Sequence, residues 1–111
     1  MIMQNVYGWS GKILYIDVTT AITHVESTLE HIAYIGGRGI NQWLLFNLME
    51  KDVGPLDPEN LLIFGVGCLV GTMAPGACRV SIETKNVYSN GKGSANFGCS
   101  IARKMQLAGD L

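Results

Sequence analysis

Two glycine-rich constellations hold the residues best suited to chemistry in this sequence. The first is Gly36-Gly37-Arg38-Gly39, directly before an apolar helical pattern that begins at Ile40. Glycines let a ligand approach the backbone, free amides at a helix start attract anions, and arginine adds a fork of donors. A plain connector between two helices would use the same glycines, so the spacing alone leaves both roles open. The second constellation runs from Gly71 to Gly98: GTMAPGACR, then a strand pattern, then GSANFG, read as the start of a final helix. Arg79 lies just past the glycine-rich loop. Asn96 and Gly98 fall at the expected helix start, where unpaired amides point outward. If the strand after Arg79 lies beside that helix, the arginine and the amides face one anion, and a phosphate-bearing ligand suits them.

Other chemistry has no foothold. The sequence contains no GxSxG, HExxH, Walker A or GxGxxG pattern, and His24 and His31 are not at metal-ligand spacing. His24 is expected in a strand and His31 on a surface helix, both as solvated bystanders. Glu83 has no partner for acid–base work that the sequence reveals. Cys68, Cys78 and Cys99 form no CxxC pair, which argues against a zinc site or a redox motif. They read as reduced, buried small hydrophobes in a cytoplasmic chain. The stretch from Leu61 to Cys78 is uncharged and long enough to span a bilayer, but five interruptions by glycine and proline make it a buried strand followed by a loop.

These residues must be positioned by a single domain, since 111 residues suffice for one compact core. Apolar residues make up 48% and charged ones only 15%, which excludes disorder and suggests that much of the surface is meant to be covered. A net charge of −1 argues against nucleic-acid binding. Lys12 to Val18 and Ile22 to Glu26 predict a hairpin turned by Thr19-Thr20-Ala21. Ser27 and Glu30 have capping-box spacing for a short helix to Ile35, ended by Gly36-Gly37. Ile40, Trp43, Leu44, Asn47 and Leu48 share one face of a stronger helix. Asp57-Pro58 opens a helical turn, and Leu61 to Val66 predicts a strand buried on both faces. Arg79 to Lys85 alternates as a strand, Ser89-Asn90-Gly91 turns the chain, and the last helix ends at Gly109. The order β-β-α-α-β-β-α gives an α+β fold.

The motifs YGWSGKILYIDVTT, IGGRG, LDPENLLIFGVG, GTMAPGACR and SANFG…LAGD, in this order from Tyr7 to Asp110, resemble the N-terminal domain of the aldehyde ferredoxin oxidoreductase family. The resemblance implies a β-rich, saddle-like domain with hairpin strands and about three helices, of which this chain holds only the first part. It implies a bis-pterin cofactor carrying tungsten or molybdenum, a magnesium ion bridging the pterin phosphates, and one [4Fe-4S] cluster. Family enzymes are cytoplasmic and oxidise aldehydes to carboxylic acids, with ferredoxin as electron acceptor; a related branch reduces aromatic thioesters within a larger complex. Arg79 matches the arginine on the pterin phosphate, Asn96 the residue whose backbone helps hold magnesium, and Gly98 a glycine whose backbone approaches the pterin. No catalytic residue is carried over. The family's cluster cysteines lie downstream of Leu111, so Cys68, Cys78 and Cys99 are not those ligands. The usual proline-containing turn is replaced by Asn86-Val87-Tyr88-Ser89, the glycine pair after Asn96 reads Phe97-Gly98-Cys99, and a tyrosine is missing between Gly109 and Asp110.

Two roles follow from the resemblance. In the first, the chain is the cofactor-binding segment of such an oxidoreductase, inactive alone and completed by the rest of the enzyme. In the second, it is a degenerate, non-catalytic domain that acts as an assembly subunit or homo-oligomer. Uncovered strand edges and apolar surface are expected in both, and with them a partner. Neither role involves nucleic acid or a membrane.

Overall fold

A computed structural model describes residues 8, 11–98 and 100–108. The YGWSG and LAGD motifs lie partly outside these residues, as does Cys99. The elements are β1 (Lys12–Asp17), β2 (Ile22–Ser27), a 3-10 helix (Leu29–Tyr34), α1 (Arg38–Leu48), β3 (Ile63–Val66), β4 (Val80–Lys85), β5 (Lys92–Phe97) and α2 (Ser100–Ala108). The fold is α+β, with five strands in two antiparallel sheets.

The first sheet is the hairpin β1–β2, with Leu14 opposite Val25 and Asp17 opposite Ile22. Its turn rests on Asp17, whose Oδ1 accepts from the amides of Thr19 (2.9 Å) and Thr20 (3.3 Å). An aspartate that binds backbone two and three residues on fixes a turn that the two threonines leave loose. These amides hold the Asp17 carboxyl below its ordinary range, the Thr20 amide most, then that of Thr19.

The second sheet has the order β3-β4-β5. β5 is a correction to the reading from sequence, which took SANFG as a helix start. Residues 93–96 (Gly-Ser-Ala-Asn) are small, with no apolar alternation to signal a strand; residues 92–97 become one by pairing with β4 across the expected Ser89–Gly91 turn. In that turn the Asn86 amide donates to Gly91 O, Asn86 Oδ1 accepts from the Tyr88 amide, and Asn90 takes the left-handed conformation. β3 is only half buried, with Phe64 exposed, because it is an edge strand and not an interior one.

Helices cover both faces of this sheet. Val80 and Ile82 of β4 and Val66 of β3 pack with Val70 and with Ala102 and Met105 of α2. On the opposite face α1 buries Ile40, Asn41, Leu44 and Leu45. This stripe is rotated from the expected one: Trp43 is half-buried, while Asn47 and Leu48 are exposed. Asn41 is in the stripe because Gly65 leaves room for it; an added Cβ on Gly65 would come within 2.2 Å of Asn41 Oδ1. There Asn41 Nδ2 donates to the carbonyl of Ser81 (3.0 Å), so a buried polar side chain ties helix to sheet.

The short helix before α1 is 3-10, with Thr28 at its N-cap and no side-chain cap bond. His31 is buried in it, not on the surface, with its ring 4.4 Å from that of Trp43. His24 is in β2 as expected and stacks on Tyr15. Among the described residues no helix is long and apolar enough to cross a membrane. Cys78 is exposed in the loop before β4 and Cys68 is half-buried, so neither is the buried hydrophobe expected.

Candidate anion-binding site

The two glycine-rich constellations, read separately in the sequence, meet at one end of the second sheet. Gly37 N donates to the carbonyl of Val66 (2.9 Å), and Gly36 bridges Gly67. This places the start of α1 against the end of β3. The register pairs Val66 with Val80 and Val80 with Phe97. One residue beyond the paired stretch, the same register sets Arg79 between Gly67 and Gly98. Gly98 is beside Cys78: an added Cβ would lie 3.8 Å from Cys78 Sγ. At Gly67 it would meet open space. Gly67 and Gly98 thus flank an exposed arginine, with Gly36 beyond Gly67, which leaves backbone on either side of Arg79 open to a flat or charged ligand.

Asn96 does not stand at a helix start. It is exposed on β5 opposite Ser81, and its Oδ1 accepts a hydrogen bond from Ser81 Oγ (2.8 Å). Gly98 lies between β5 and α2. The three residues singled out in the sequence are therefore neighbours, brought together by a strand pair instead of a strand and a helix.

Three charged groups were not singled out as parts of a site. Glu83, on the same face of β4 as Ser81, is completely buried (0% exposed). Its Oε1 accepts from Ser94 Oγ at 2.8 Å and lies 3.6 Å from Arg38 Nε; its Oε2 lies 3.7 Å from Lys92 Nζ. Glu83 Oε2 accepts no hydrogen bond. The signal for this cluster was present: once Ser89–Gly91 is taken as a hairpin turn, counting back sets Glu83 beside Ser94 and near Lys92. The third group is Arg103, which lines an open concavity of about 500 Å³ with Gly71, Thr72, Met73, Cys78 and Ser100. This places the GTMAPGAC loop and the first turn of α2 around one hollow.

The arrangement sets exposed arginine beside open glycine backbone, which suits an anion. No group of three or more His, Cys, Asp or Glu is placed to hold a metal ion among the described residues. The class defined by fold and site is thus an α+β domain with an exposed arginine among glycines at one end of its three-stranded sheet.

Residues 13–110 match the family model described as the aldehyde ferredoxin oxidoreductase N-terminal domain, and the chain belongs to this family. It is 34% identical over 105 residues to the tungsten-containing aldehyde ferredoxin oxidoreductase of Pyrococcus furiosus, covering 93% of this chain and 17% of that protein. The enzyme of the same description from Thermococcus kodakarensis is also 34% identical over 105 residues. Among solved structures, the active-site complex of benzoyl-coenzyme A reductase with 1,5-dienoyl-CoA superposes with a TM-score of 0.86 at 30% identity, over 93% of this chain and 16% of that one. The chain therefore spans about a sixth of the length of the relatives it matches.

Proposed function

We propose that this chain is the cofactor-holding, N-terminal part of a tungsten- or molybdenum-pterin oxidoreductase that oxidises aldehydes to carboxylic acids and passes electrons to ferredoxin in the cytoplasm. The observation that supports this reading is the meeting of Gly36–Gly37, Gly67, Arg79 and Gly98 at one sheet end in a chain of this family. The residues fit the group: the arginine is exposed, and the glycines around it leave no side chain in a ligand's path. When bound, the metal–pterin supplies two-electron redox chemistry, and the domain's part is binding and orientation. Arg79 would hold a pterin phosphate, and Gly98 would let the pterin approach the backbone. The Asn96 backbone would help hold a magnesium ion, while the Ser81 hydroxyl donates to the Asn96 side chain. The cluster ligands and the remaining pterin contacts come from the rest of the oxidoreductase, so the chain alone has no turnover.

A second reading, a non-catalytic assembly or oligomerisation subunit, is favoured by one feature. The β1–β2 hairpin leaves Leu14, Ile16 and Val25 more than half exposed, as an interaction surface would.

Native mass spectrometry with elemental analysis for tungsten, molybdenum and magnesium separates the two. Added mass of pterin size with metal, lost on Arg79→Ala, supports cofactor binding by this chain. Bare protein in a defined oligomer overturns it and supports the assembly role.

A further inference from the structure

We propose that Arg38 is a further anion-binding residue of this surface, and that buried Glu83 is the positioning residue that holds it ready for a phosphate or diphosphate. The proposal rests on the reading above that the surface takes a phosphorylated cofactor.

Glu83 is a poor stabiliser as built. A carboxylate withdrawn from water loses hydration that ion pairs repay only when their geometry is good. Here the two cations stand at 3.6 and 3.7 Å, beyond hydrogen-bond length, and one oxygen accepts nothing. An apolar residue at the same place would avoid this cost. What the carboxylate does achieve is placement. It draws Arg38 from the start of α1 and Lys92 from β5 to one point of the sheet face that also carries Ser81 and Asn96.

Arg38 meets Glu83 through Nε, and half of its side chain (51%) stays exposed. Held by Nε, a guanidinium keeps its terminal fork available for a second, bidentate partner. Its surroundings favour an anion there. Gly37 caps α1 without a side-chain bond, and the first turn of α1 carries no acidic residue of its own, so the helix start adds to the positive field there. The Gly36–Gly37 segment sets this helix start against the sheet end that carries Arg79.

The test is calorimetric titration of the whole chain with inorganic pyrophosphate at fixed, low salt, using the native protein, Glu83→Gln, Arg38→Lys, the double variant and Arg79→Ala. Circular dichroism checks the fold of each. Removing a negative charge near an anion site strengthens anion binding by Coulomb's law alone. Positioning predicts the opposite sign. Glu83→Gln and Arg38→Lys should each weaken pyrophosphate binding about tenfold, the worth of one charge-assisted hydrogen bond. In the double variant the two losses should not add, because Glu83 acts through Arg38. Arg38→Lys keeps the carboxylate paired, so it reports on the fork even if Glu83→Gln fails to fold.

Affinity unchanged or raised in both single variants, with binding still lost in Arg79→Ala, overturns this inference and leaves the reading of the site intact. Binding lost in Arg38→Lys but indifferent to Arg79→Ala supports Arg38 and overturns the earlier assignment. No binding by the native chain overturns both.

Discussion

At the scale of the residue, Asn41 shows how one side chain sets the spacing of a layer. It is 1% exposed, donates to Ser81 O, and fills the space above Gly65. Gly65→Ala should destabilise the chain by about 2–3 kcal/mol, through overpacking and a broken buried hydrogen bond. A denaturant melt measures this, and an unchanged midpoint would show that Asn41 moves aside freely. Asp17 offers a second test. Its carboxyl is held below the usual aspartate range by the Thr20 and Thr19 amides. A depressed carboxyl gives stability that is present above its unfolded-state value, about 3.9, and is lost as pH falls through the lower folded value. Amide shifts of Thr19 and Thr20, followed by NMR from pH 6 to pH 2, should titrate together with a midpoint below 3.9. A midpoint at or above that value would contradict the turn geometry.

Among the elements, the connection into α1 is strained. Ile35 ends the 3-10 helix in the left-handed region (φ 66), where a β-branched residue is disfavoured, and the residue is 69% exposed. Ile35→Gly should stabilise by about 1 kcal/mol, since relief of strain exceeds the added freedom of the unfolded chain and little burial is lost. A rise in Tm of about 5 °C would be its sign. A fall would mean that Ile35 makes contacts worth more than the strain. The elements also show where sequence was readable. β1, β2, α1 and β4 carry their own patterns of apolar spacing, and Thr19-Thr20-Ala21 and Ser89–Gly91 mark their turns, although the Asp17 side chain that fixes the first turn was not read there. β5 carries none, because KGSANF is a strand only by virtue of β4 beside it. The burial of Glu83 was hidden for a related reason. In an alternating strand a lone charge reads as the wet face, and only the packing of α1 over that face, with Asn41 buried and Arg38 reaching across to the carboxylate, makes it interior. Arg79, Asn96 and Gly98 were marked by residue type and by resemblance alone, whereas their placement on a strand pair depended on β5.

For the whole molecule, the sheets differ in how they are covered. The β3–β5 sheet has a helix on each face, but the β1–β2 hairpin leaves Leu14, Ile16, Val18 and Val25 open to water. Such a surface is expected to associate. Sedimentation should show an average mass above 12.0 kDa that grows with concentration. The double variant Leu14→Thr and Ile16→Thr should return it to the monomer value with little change in Tm, since both side chains are already more than half exposed. A native chain that stays monomeric across the range would exclude association through this face.

The hairpin does not stand free of the rest. Gly8, just before it, turns with φ +81 against the Cys68 carbonyl, and the buried Gln106 of α2 donates to Gly8 O at 2.9 Å across 98 positions of chain. A contact that closes so long a loop carries a high entropic cost and gains nothing until the intervening elements are in place. The two hairpins need only their own turns and form early, whereas this latch shuts last. Its energy is then absent from the rate-limiting barrier to folding and present in the barrier to opening. Gln106→Met should leave the refolding rate nearly unchanged and speed unfolding about fivefold, the effect of about 1 kcal/mol lost after the transition state. The bond between the two ends of the described chain thus acts as a brake on unravelling.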